Sequence, residues 1–167
     1  PLTDTKPKPL VEVGGTPILI RLLGQLYEAG IEDAVVVTGY RADQLEDRLD
    51  DASSIPRIQF AHNRDFDETN NAESLRHGLS VLDDGPFILC DGDLLLTNAN
   101  ILERVATYAE TNVLGVEFAE YLSDEAMKVM TSNGVPESRR ENTPVYRVNG
   151  IGKDIPTQSA TGEFIGL

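Results

Sequence analysis

Two aspartates, Asp91 and Asp93, flank Gly92 directly after the apolar run from Phe87 to Cys90. Carboxylate oxygens suit Mg²⁺, which commonly binds through one or two protein carboxylates together with substrate phosphates. The carboxyl end of a strand in an open parallel sheet is the expected place for a ligand, and this pair would lie there. Because Asp-Gly also occurs in ordinary turns, a magnesium site and a plain turn are both open interpretations of the pair.

A polar cluster from Glu68 to Leu75 opens a predicted helix and includes the side chains of Asn71 and Ser74. Amide and hydroxyl groups both donate and accept hydrogen bonds, so they can recognise the edge of a nucleobase or another small ligand. The cluster can instead cap the helix, with Asn70 or Asn71 as the N-cap residue. A glycine turn, Thr38-Gly39-Tyr40, either lets a ligand approach the backbone or simply joins a strand to a helix.

Lysine is scarce in this chain, which makes each lysine a candidate for a functional role. The 167 residues include 28 acidic and 14 basic ones, for a formal charge of −14, and the lysines are Lys6, Lys8, Lys128 and Lys153. The acidic balance argues against nucleic acid as a partner, because duplex binding requires clustered Lys and Arg, but it leaves free nucleotides open. The composition fits a surface adapted to high salt and an ordinary acidic protein equally well.

Apolar spacing predicts alternating helices and strands before residue 112. Helical repeats indicate helices, and short apolar or β-branched runs indicate strands. The predicted helices span residues 18–29, 41–50, 71–82 (with Leu75, Leu79 and Leu82 inward) and 101–108, and the predicted strands span 34–38, 57–61 and 86–90. This order predicts an α/β fold with a mostly parallel sheet, right-handed crossovers and helices on both faces.

The pattern changes after residue 112, where strands are predicted at 113–118, 127–131, 145–148 and 164–167 without long helices between them. This part should be antiparallel or mixed, with a mobile turn over residues 132–143. No apolar run approaches the roughly 20 residues of a membrane span, and no signal peptide is evident, so we expect a soluble cytoplasmic protein. We expect residues 1–167 to form one domain and Cys90 to be a thiol in its core.

Several short motifs follow one another in a fixed order. They are Leu2-Thr3, Pro7-Lys-Pro-Leu-Val-Glu-Val-Gly-Gly-Thr-Pro17, Ala29-Gly-Ile31, Val36-Val-Thr-Gly-Tyr40, Gly92-Asp93 and Gly152-Lys153. With this set the chain resembles the sugar-phosphate and phosphocholine nucleotidyltransferase family over nearly its whole length. It is most similar to the branch that transfers CMP to phosphocholine or related phosphonates, through Asn70-Asn71, Ser74-Leu75, Glu125-Ala-Met-Lys-Val129, Ile151-Gly-Lys-Asp154 and Gly162-Glu-Phe-Ile-Gly166.

The resemblance implies a Rossmann-like, GT-A-like nucleotidyltransferase fold and an enzyme that binds a nucleoside triphosphate, with CTP favoured, together with Mg²⁺. An oxygen of a small phosphorylated acceptor would attack the α-phosphorus in line and release pyrophosphate, so positioning and charge neutralisation would suffice for catalysis. By this resemblance Lys8 would bind phosphate, and Lys153 would contact the reacting phosphoryl group. Asp93 would bind the metal, with Asp91 lying just outside the metal's own ligands. Asn71 and Ser74 would bind the base, and Lys128 and Glu163 would lie near the acceptor.

Two parts of the family pattern are missing from the sequence. A glycine-rich phosphate loop belongs just before Leu2, and a second metal-binding aspartate belongs beyond Leu167, so we expect a domain that is incomplete at both ends. Three alternatives stay open: a sugar-1-phosphate nucleotidyltransferase that uses dTTP, UTP or GTP, a non-catalytic regulatory relative, and a glycosyltransferase, whose Asp-x-Asp metal motif Asp91-Gly-Asp93 would match. We expect neither nucleic acid nor a membrane as a partner, and we leave a homodimer open.

Overall fold

Helix α1 (Ile18–Glu28) forms where the leucine spacing predicts it, after a short antiparallel hairpin of β1 (Glu12–Val13) and β2 (Thr16–Pro17). The structure, a computed structural model, describes residues 3–98, 100–108, 111–118, 122–132, 138–140 and 143–167. The helix ends at a left-handed Gly30 with φ of 88°, which lets the Ile31 N–H donate to the Leu26 carbonyl. This is a Schellman arrangement. The buried side chains of α1 are Leu19, Leu22, Leu23 and Leu26.

The predicted strand–helix–strand unit is confirmed. Strands β3 (Asp33–Thr38) and β4 (Arg57–His62) pair in parallel over their whole length, and helix α2 (Ala42–Asp50) connects them. Helix α2 buries Leu45 and Leu49, which lie one turn apart on the same face. The two parallel strands therefore end side by side at Thr38 and His62, as a site at this edge of the sheet requires.

Helix α3 (Asn71–Leu79) is shorter than predicted, and Leu79 does not point inward. The helix ends at Leu79, which is 44% exposed, and the hydroxyl of the C-cap residue Ser80 donates to the His77 carbonyl over 2.7 Å. The residue that faces the sheet is Gly78, where an added Cβ would lie 3.1 Å from the Val37 side chain. A later helix, α4 (Asn100–Ala106), buries Leu102 completely.

The strand predicted at residues 86–90 is wrong. This stretch has no paired strand among the described residues, and Phe87 and Leu89 are each about half exposed. An apolar run becomes a strand only when a neighbouring strand takes its hydrogen bonds, and composition cannot supply that neighbour. Cys90 is accordingly half-buried rather than in a core strand, although burial, with a further contribution from the charge of Asp91, raises the pKa of its thiol to about 11.

Residues after 112 form antiparallel pairs, as predicted. The strands are β5 (Val116–Glu117), β6 (Lys128–Thr131), β7 (Ser138–Arg140), β8 (Thr143–Val145), β9 (Val148–Gly152) and β10 (Gly162–Phe164). Four of them form a sheet in the order β5–β10–β6–β9, and β7 pairs with β8.

The predicted bounds in this part need correction. The strand predicted at 113–118 is limited to β5, and the strand predicted at 145–148 is divided between β8 and β9. The strand predicted at 164–167 overlaps β10 only at Phe164. These bounds depend on which residues find partners across the sheet, so apolar alternation alone misplaces them. The predicted turn at 132–143 contains β7, and its residues 133–137 and 141–142, with Asn133-Gly134 and Pro136, lie outside the described residues.

The chain divides into two compact units, Pro1–Asn112 with the parallel strands and Val113–Leu167 with the antiparallel sheet. Helices together with a parallel strand pair in the first unit and antiparallel strands in the second confirm the α/β class. In the ranges that the structure describes, no helix has both the length and the apolar character needed to cross a membrane.

Candidate functional site

The two aspartates of Asp91-Gly-Asp93 lie on a β-turn that the protein core anchors. The Leu94 N–H donates to the Asp91 carbonyl over 3.1 Å and closes the turn. Farther along, Leu96 is buried, and its carbonyl accepts a hydrogen bond of 3.1 Å from the side chain of Gln25 on α1. Asp91 and Asp93 themselves are exposed. The turn therefore presents two carboxylates to solvent from a backbone that is fixed on its inner side.

The glycine of this turn packs against the chain segment that carries Lys8. The Pro9 Cγ lies 3.4 Å from the position that a Cβ on Gly92 would occupy. A Cβ at position 92 would thus be in ordinary van der Waals contact with the proline ring, so the two chain segments lie next to each other. The fold thus brings the segment of Lys8 beside the two carboxylates, although these residues are far apart in the sequence.

The backbone on either side of Lys8 is fixed. Residues Lys8–Leu10 form a 3-10 turn in which the Leu10 N–H donates to the Pro7 carbonyl over 2.9 Å. Pro7 and Leu10 are buried, whereas the Lys8 side chain is exposed. Among the described residues the Lys8 ammonium has no hydrogen-bond or ion-pair partner, so it is available to a phosphate ligand.

Lys6 lies in different surroundings from Lys8. It lines a depression of about 330 Å³ together with side chains of α2 such as Gln44 and Arg48, and Lys8 does not line this depression. The segment before Lys6 is tied to the end of β3 and to α2, because the Tyr40 hydroxyl donates to the Asp4 carbonyl over 3.1 Å and the Gln44 amide donates to the Thr5 carbonyl over 3.4 Å.

A buried asparagine organises the polar cluster at the start of α3. Asn63 follows β4 directly, is 2% exposed, and donates through Nδ2 to the hydroxyls of Thr69 and Ser74 over 3.0 and 3.1 Å. Its Oδ1 accepts from the Asp65 N–H over 3.1 Å. Asn63 is not among the site residues expected from the sequence, although its place at the carboxyl end of a parallel strand is a signal for such a residue.

The predicted base-binding residues share the first turns of α3 but differ in their contacts. Asn70 is the N-cap, since its side chain accepts from the Ala72 N–H over 3.0 Å. Asn71 is exposed and makes no hydrogen bond with its side chain among the described residues, while Ser74 is held by Asn63. The capping interpretation therefore accounts for Asn70, and the amide of Asn71 is free to meet a ligand.

The second unit holds the other candidates, Lys128, Lys153 and Glu163. Lys128 on β6 is directly opposite Glu163 on β10, and it is 2% exposed. Its ammonium donates to the carbonyls of Lys153 and Asp124 over 2.9 and 3.3 Å. The Lys153 ammonium is exposed and lies 3.2 Å from Oε2 of Glu125. Lys128 is thus buried in protein contacts, whereas Lys153 reaches the surface.

Comparison with known proteins identifies the family. The sequence matches the MobA-like NTP transferase domain over residues 3–127, which is most of the chain. The chain belongs to this family.

Relatives of this MobA-like NTP transferase chain include enzymes with different nucleotides in their names. It is 35% identical over 154 residues to the 2-aminoethylphosphonate cytidylyltransferase of Lancefieldella rimae, covering 90% of this chain and 59% of that protein. It is 38% identical over 113 residues to the UTP–glucose-1-phosphate uridylyltransferase AglF of Haloferax volcanii, covering 66% of this chain and 44% of the relative. The chain therefore spans about three fifths or less of these relatives.

Solved structures show the same fold. The inositol-1-phosphate CTP transferase of T. maritima superposes with a TM-score of 0.69 at 17% identity, over 99% of this chain and 62% of that one. At this identity the likeness concerns the fold alone, and it confirms the nucleotidyltransferase architecture expected from the sequence.

A MobA-like NTP transferase implies a divalent metal, and the Asp91–Asp93 turn fits one. Partial burial and, after it, repulsion from the negative charge of Asp93 raise the pKa of Asp91 above its ordinary value. A cation between them would relieve this repulsion. No group of three or more His, Cys, Asp or Glu side chains in the described ranges could hold a metal, so the turn would offer a cation at most its two carboxylates.

The glycine in the Thr38-Gly39-Tyr40 turn of this MobA-like NTP transferase makes room for a side chain of the protein itself. A Cβ on Gly39 would lie 2.7 Å from the Phe66 Cβ and 2.8 Å from its Cγ. Phe66 thus occupies the space over Gly39, which favours a simple strand-to-helix connection over a place where a ligand approaches the backbone. The Phe66 ring also packs against the Tyr40 ring, with 6.3 Å between the centroids.

Replacing Gly39 by alanine is expected to destabilise the full-length protein by about 1–3 kcal/mol, because Phe66 must move to admit the methyl group. Urea unfolding of Gly39→Ala, Phe66→Gly and the double variant measures this effect. In the Phe66→Gly background the Gly39→Ala substitution should cost much less, since both the Cβ and the ring that the new methyl group meets are gone. An equal cost in both backgrounds would show that Phe66 is not the reason for glycine at this position.

Proposed function

We propose that this protein transfers CMP from CTP to a small phosphorylated or phosphonate acceptor and releases pyrophosphate. The observation that carries the proposal is the packing of Pro9 on Gly92, which sets the exposed Lys8 turn beside Asp91 and Asp93. A cation and two carboxylates at one place are what a triphosphate with its metal requires. Membership of an NTP transferase family and the cytidylyltransferase relative support the choice of reaction and nucleotide.

The proposed reaction is a single in-line displacement. An acceptor oxygen forms a bond to the α-phosphorus of the triphosphate while the bond to the bridging oxygen breaks, and pyrophosphate leaves with that bonding pair. Asp91 and Asp93 would hold Mg²⁺, which supplies neutralisation of negative charge on the phosphates when bound. The work of the protein is to orient two anions against each other and to balance their charge.

The residues of this chain have distinct proposed tasks in that reaction. The Lys8 ammonium binds phosphate oxygens from its fixed turn, and the exposed Lys153 ammonium binds the reacting phosphoryl group. The free amide of Asn71 and the Ser74 hydroxyl, which Asn63 holds in place, hydrogen-bond the base. Glu163 is proposed to lie near the acceptor, where a carboxylate would favour an amino or quaternary ammonium group.

A second candidate function is uridylyl transfer to a sugar 1-phosphate. The 38% identity to the uridylyltransferase of Haloferax volcanii favours it, and the chemistry at phosphorus would be the same. The difference lies in the base and acceptor contacts alone, so the two candidates share every prediction about Lys8 and Asp93.

Pyrophosphate release by the full-length protein with Mg²⁺ separates the two candidates. CTP, UTP, dTTP and GTP are each paired with 2-aminoethylphosphonate, phosphocholine and glucose 1-phosphate. We expect the highest kcat/KM for CTP with the phosphonate or with phosphocholine. The highest value for UTP with glucose 1-phosphate would support the second candidate, and no release from any pair would contradict both and favour a non-catalytic relative.

The proposal treats residues 1–167 as part of one nucleotidyltransferase domain that acts on small molecules in the cytoplasm. A homodimer is compatible with it, and light scattering of the full-length protein after size exclusion tests that point directly.

A further inference from the structure

Lys128 occupies an unusual position for a lysine in this protein. It lies on β6, which has β9 on one side and β10 on the other, opposite Gly152 and Glu163 in the two registers. Its side chain is 2% exposed. Lysine is almost never fully buried unless its ammonium has partners, so those partners indicate what the residue does.

The ammonium of Lys128 joins two chain segments that are distant in sequence. It donates to the Lys153 carbonyl over 2.9 Å and to the Asp124 carbonyl over 3.3 Å. Both acceptors are backbone atoms, so the bonds fix where the chain runs rather than how a side chain turns. Hydrogen bonds from a charged donor are stronger than neutral ones, and a buried polar group that loses its partner is costly.

An exposed ion pair between Lys153 and Glu125 also joins these segments, but it cannot hold them by itself. The Lys153 ammonium and the Glu125 carboxylate are 3.2 Å apart, with side chains 57% and 90% exposed. Exposed pairs of this kind contribute little because solvent screens them and both side chains lose entropy. The Lys153 carbonyl, one residue beyond the last β6–β9 pair of Lys128 and Gly152, is therefore held by the buried ammonium of Lys128.

Asp154 contacts the backbone of the same loop. A Cβ on Gly152 would collide with the Asp154 carboxylate, so the side chain of Asp154 folds back over the backbone of Gly152. The segment 152–154 is thus contacted by the buried ammonium of Lys128 at the Lys153 carbonyl and by its own Asp154 carboxylate at Gly152, while the Lys153 side chain is exposed.

We propose that Lys128 is a positioning residue, which fixes the backbone of Lys153 so that the Lys153 ammonium meets the reacting phosphoryl group. Lys128 itself does not contact the substrate, in contrast to the place near the acceptor that the family resemblance implies for it. This inference rests on the proposed function for its catalytic consequence. Its structural part, the fixing of residues 152–154, stands independently of that function.

The kinetic test uses Lys128→Met, which keeps the length and burial of the side chain but removes its donors. In the full-length protein we expect kcat to fall by about 10- to 100-fold, while KM for the triphosphate changes little. Displacing a reacting group by about 1 Å can lower the rate by this factor. In a Lys153→Ala background the same substitution should lower kcat hardly further, because no ammonium is left to position. An equal fall of kcat in both backgrounds would overturn the proposal.

A second measurement does not depend on activity. Amide hydrogen exchange of the peptide covering residues 152–154 should become faster in Lys128→Met and stay unchanged in Lys153→Ala, which keeps the buried ammonium. Unchanged exchange in Lys128→Met would overturn the proposal even if every nucleotide and acceptor pair proved inactive. Should circular dichroism show that Lys128→Met does not fold, Lys128→Gln, which keeps an uncharged donor, replaces it in both comparisons with the same expected directions.

Discussion

Replacing Asp93 by alanine is expected to lower the rate of pyrophosphate release by at least about 10²-fold, because the charge that develops on the phosphates loses its metal-based neutralisation. The fold should be unaffected, since Asp93 is exposed and the bond that closes its turn joins the Leu94 N–H to the Asp91 carbonyl. Steady-state pyrophosphate release with the best nucleotide and acceptor pair, measured over a range of Mg²⁺ concentrations, gives the effect.

The matched control for this prediction is Asp50→Ala. Asp50 is also an exposed aspartate of the first unit, but it lies at the end of α2 rather than on the turn. This variant should release pyrophosphate as the unmodified protein does. Asp91→Ala should cause an intermediate loss, since one carboxylate is left for the metal. Near-normal turnover of Asp93→Ala at low Mg²⁺ would remove the metal-binding role of this residue.

Elements whose signal lies within a short stretch of chain could be predicted from the sequence. The leucines of α1 and the pair Leu45 and Leu49 on α2 repeat with the helical period, and the β-branched run of β3 is bounded by a turn. The Asp91-Gly-Asp93 turn was found for the same reason, because its residues are consecutive.

Features that depend on distant partners could not be predicted. The apolar run at 86–90 has the composition of a strand, yet no neighbour pairs with it in the described part of the chain. At α3 the sheet is contacted by Gly78 rather than by Leu79, a choice that depends on the Val37 side chain opposite. The lack of a pairing strand for 86–90 and the presence of Val37 opposite Gly78 are not visible in the local sequence pattern. Tertiary contacts decide both outcomes.

The same limit applies to the candidate site. Contact between Pro9 and Gly92 and the hydrogen bonds of Asn63 arise only once the chain has folded. Lys128 is the clearest case, because a lysine in a polar sequence is normally exposed, and only the structure reveals that its ammonium lies among backbone carbonyls. Residue type indicated that lysines were important, but their contacts separate the tasks of the individual lysines.

Lys8→Ala is expected to lower turnover by about 10²-fold, the loss that follows removal of one charge-stabilising group. The ammonium of Lys8 projects from a 3-10 turn whose neighbours Pro7 and Leu10 are buried and whose Pro9 rests on Gly92. It therefore meets a phosphate with little loss of backbone freedom on binding. Initial rates of pyrophosphate release at saturating nucleotide, with kcat and KM determined separately, measure the effect.

Lys6→Ala is the control that makes the Lys8 prediction specific. Both lysines are exposed in the same short segment, so both substitutions should leave folding intact and change the net charge equally. Lys6, however, lines the depression beside α2 with Gln44 and Arg48, while Lys8 belongs to the turn packed on the carboxylate pair. If the triphosphate were only attracted to positive charge in general, the two variants would be equally slow, and salt would abolish the effect. If the Lys8 ammonium is positioned against the phosphates, Lys8→Ala will be much slower than Lys6→Ala at any ionic strength.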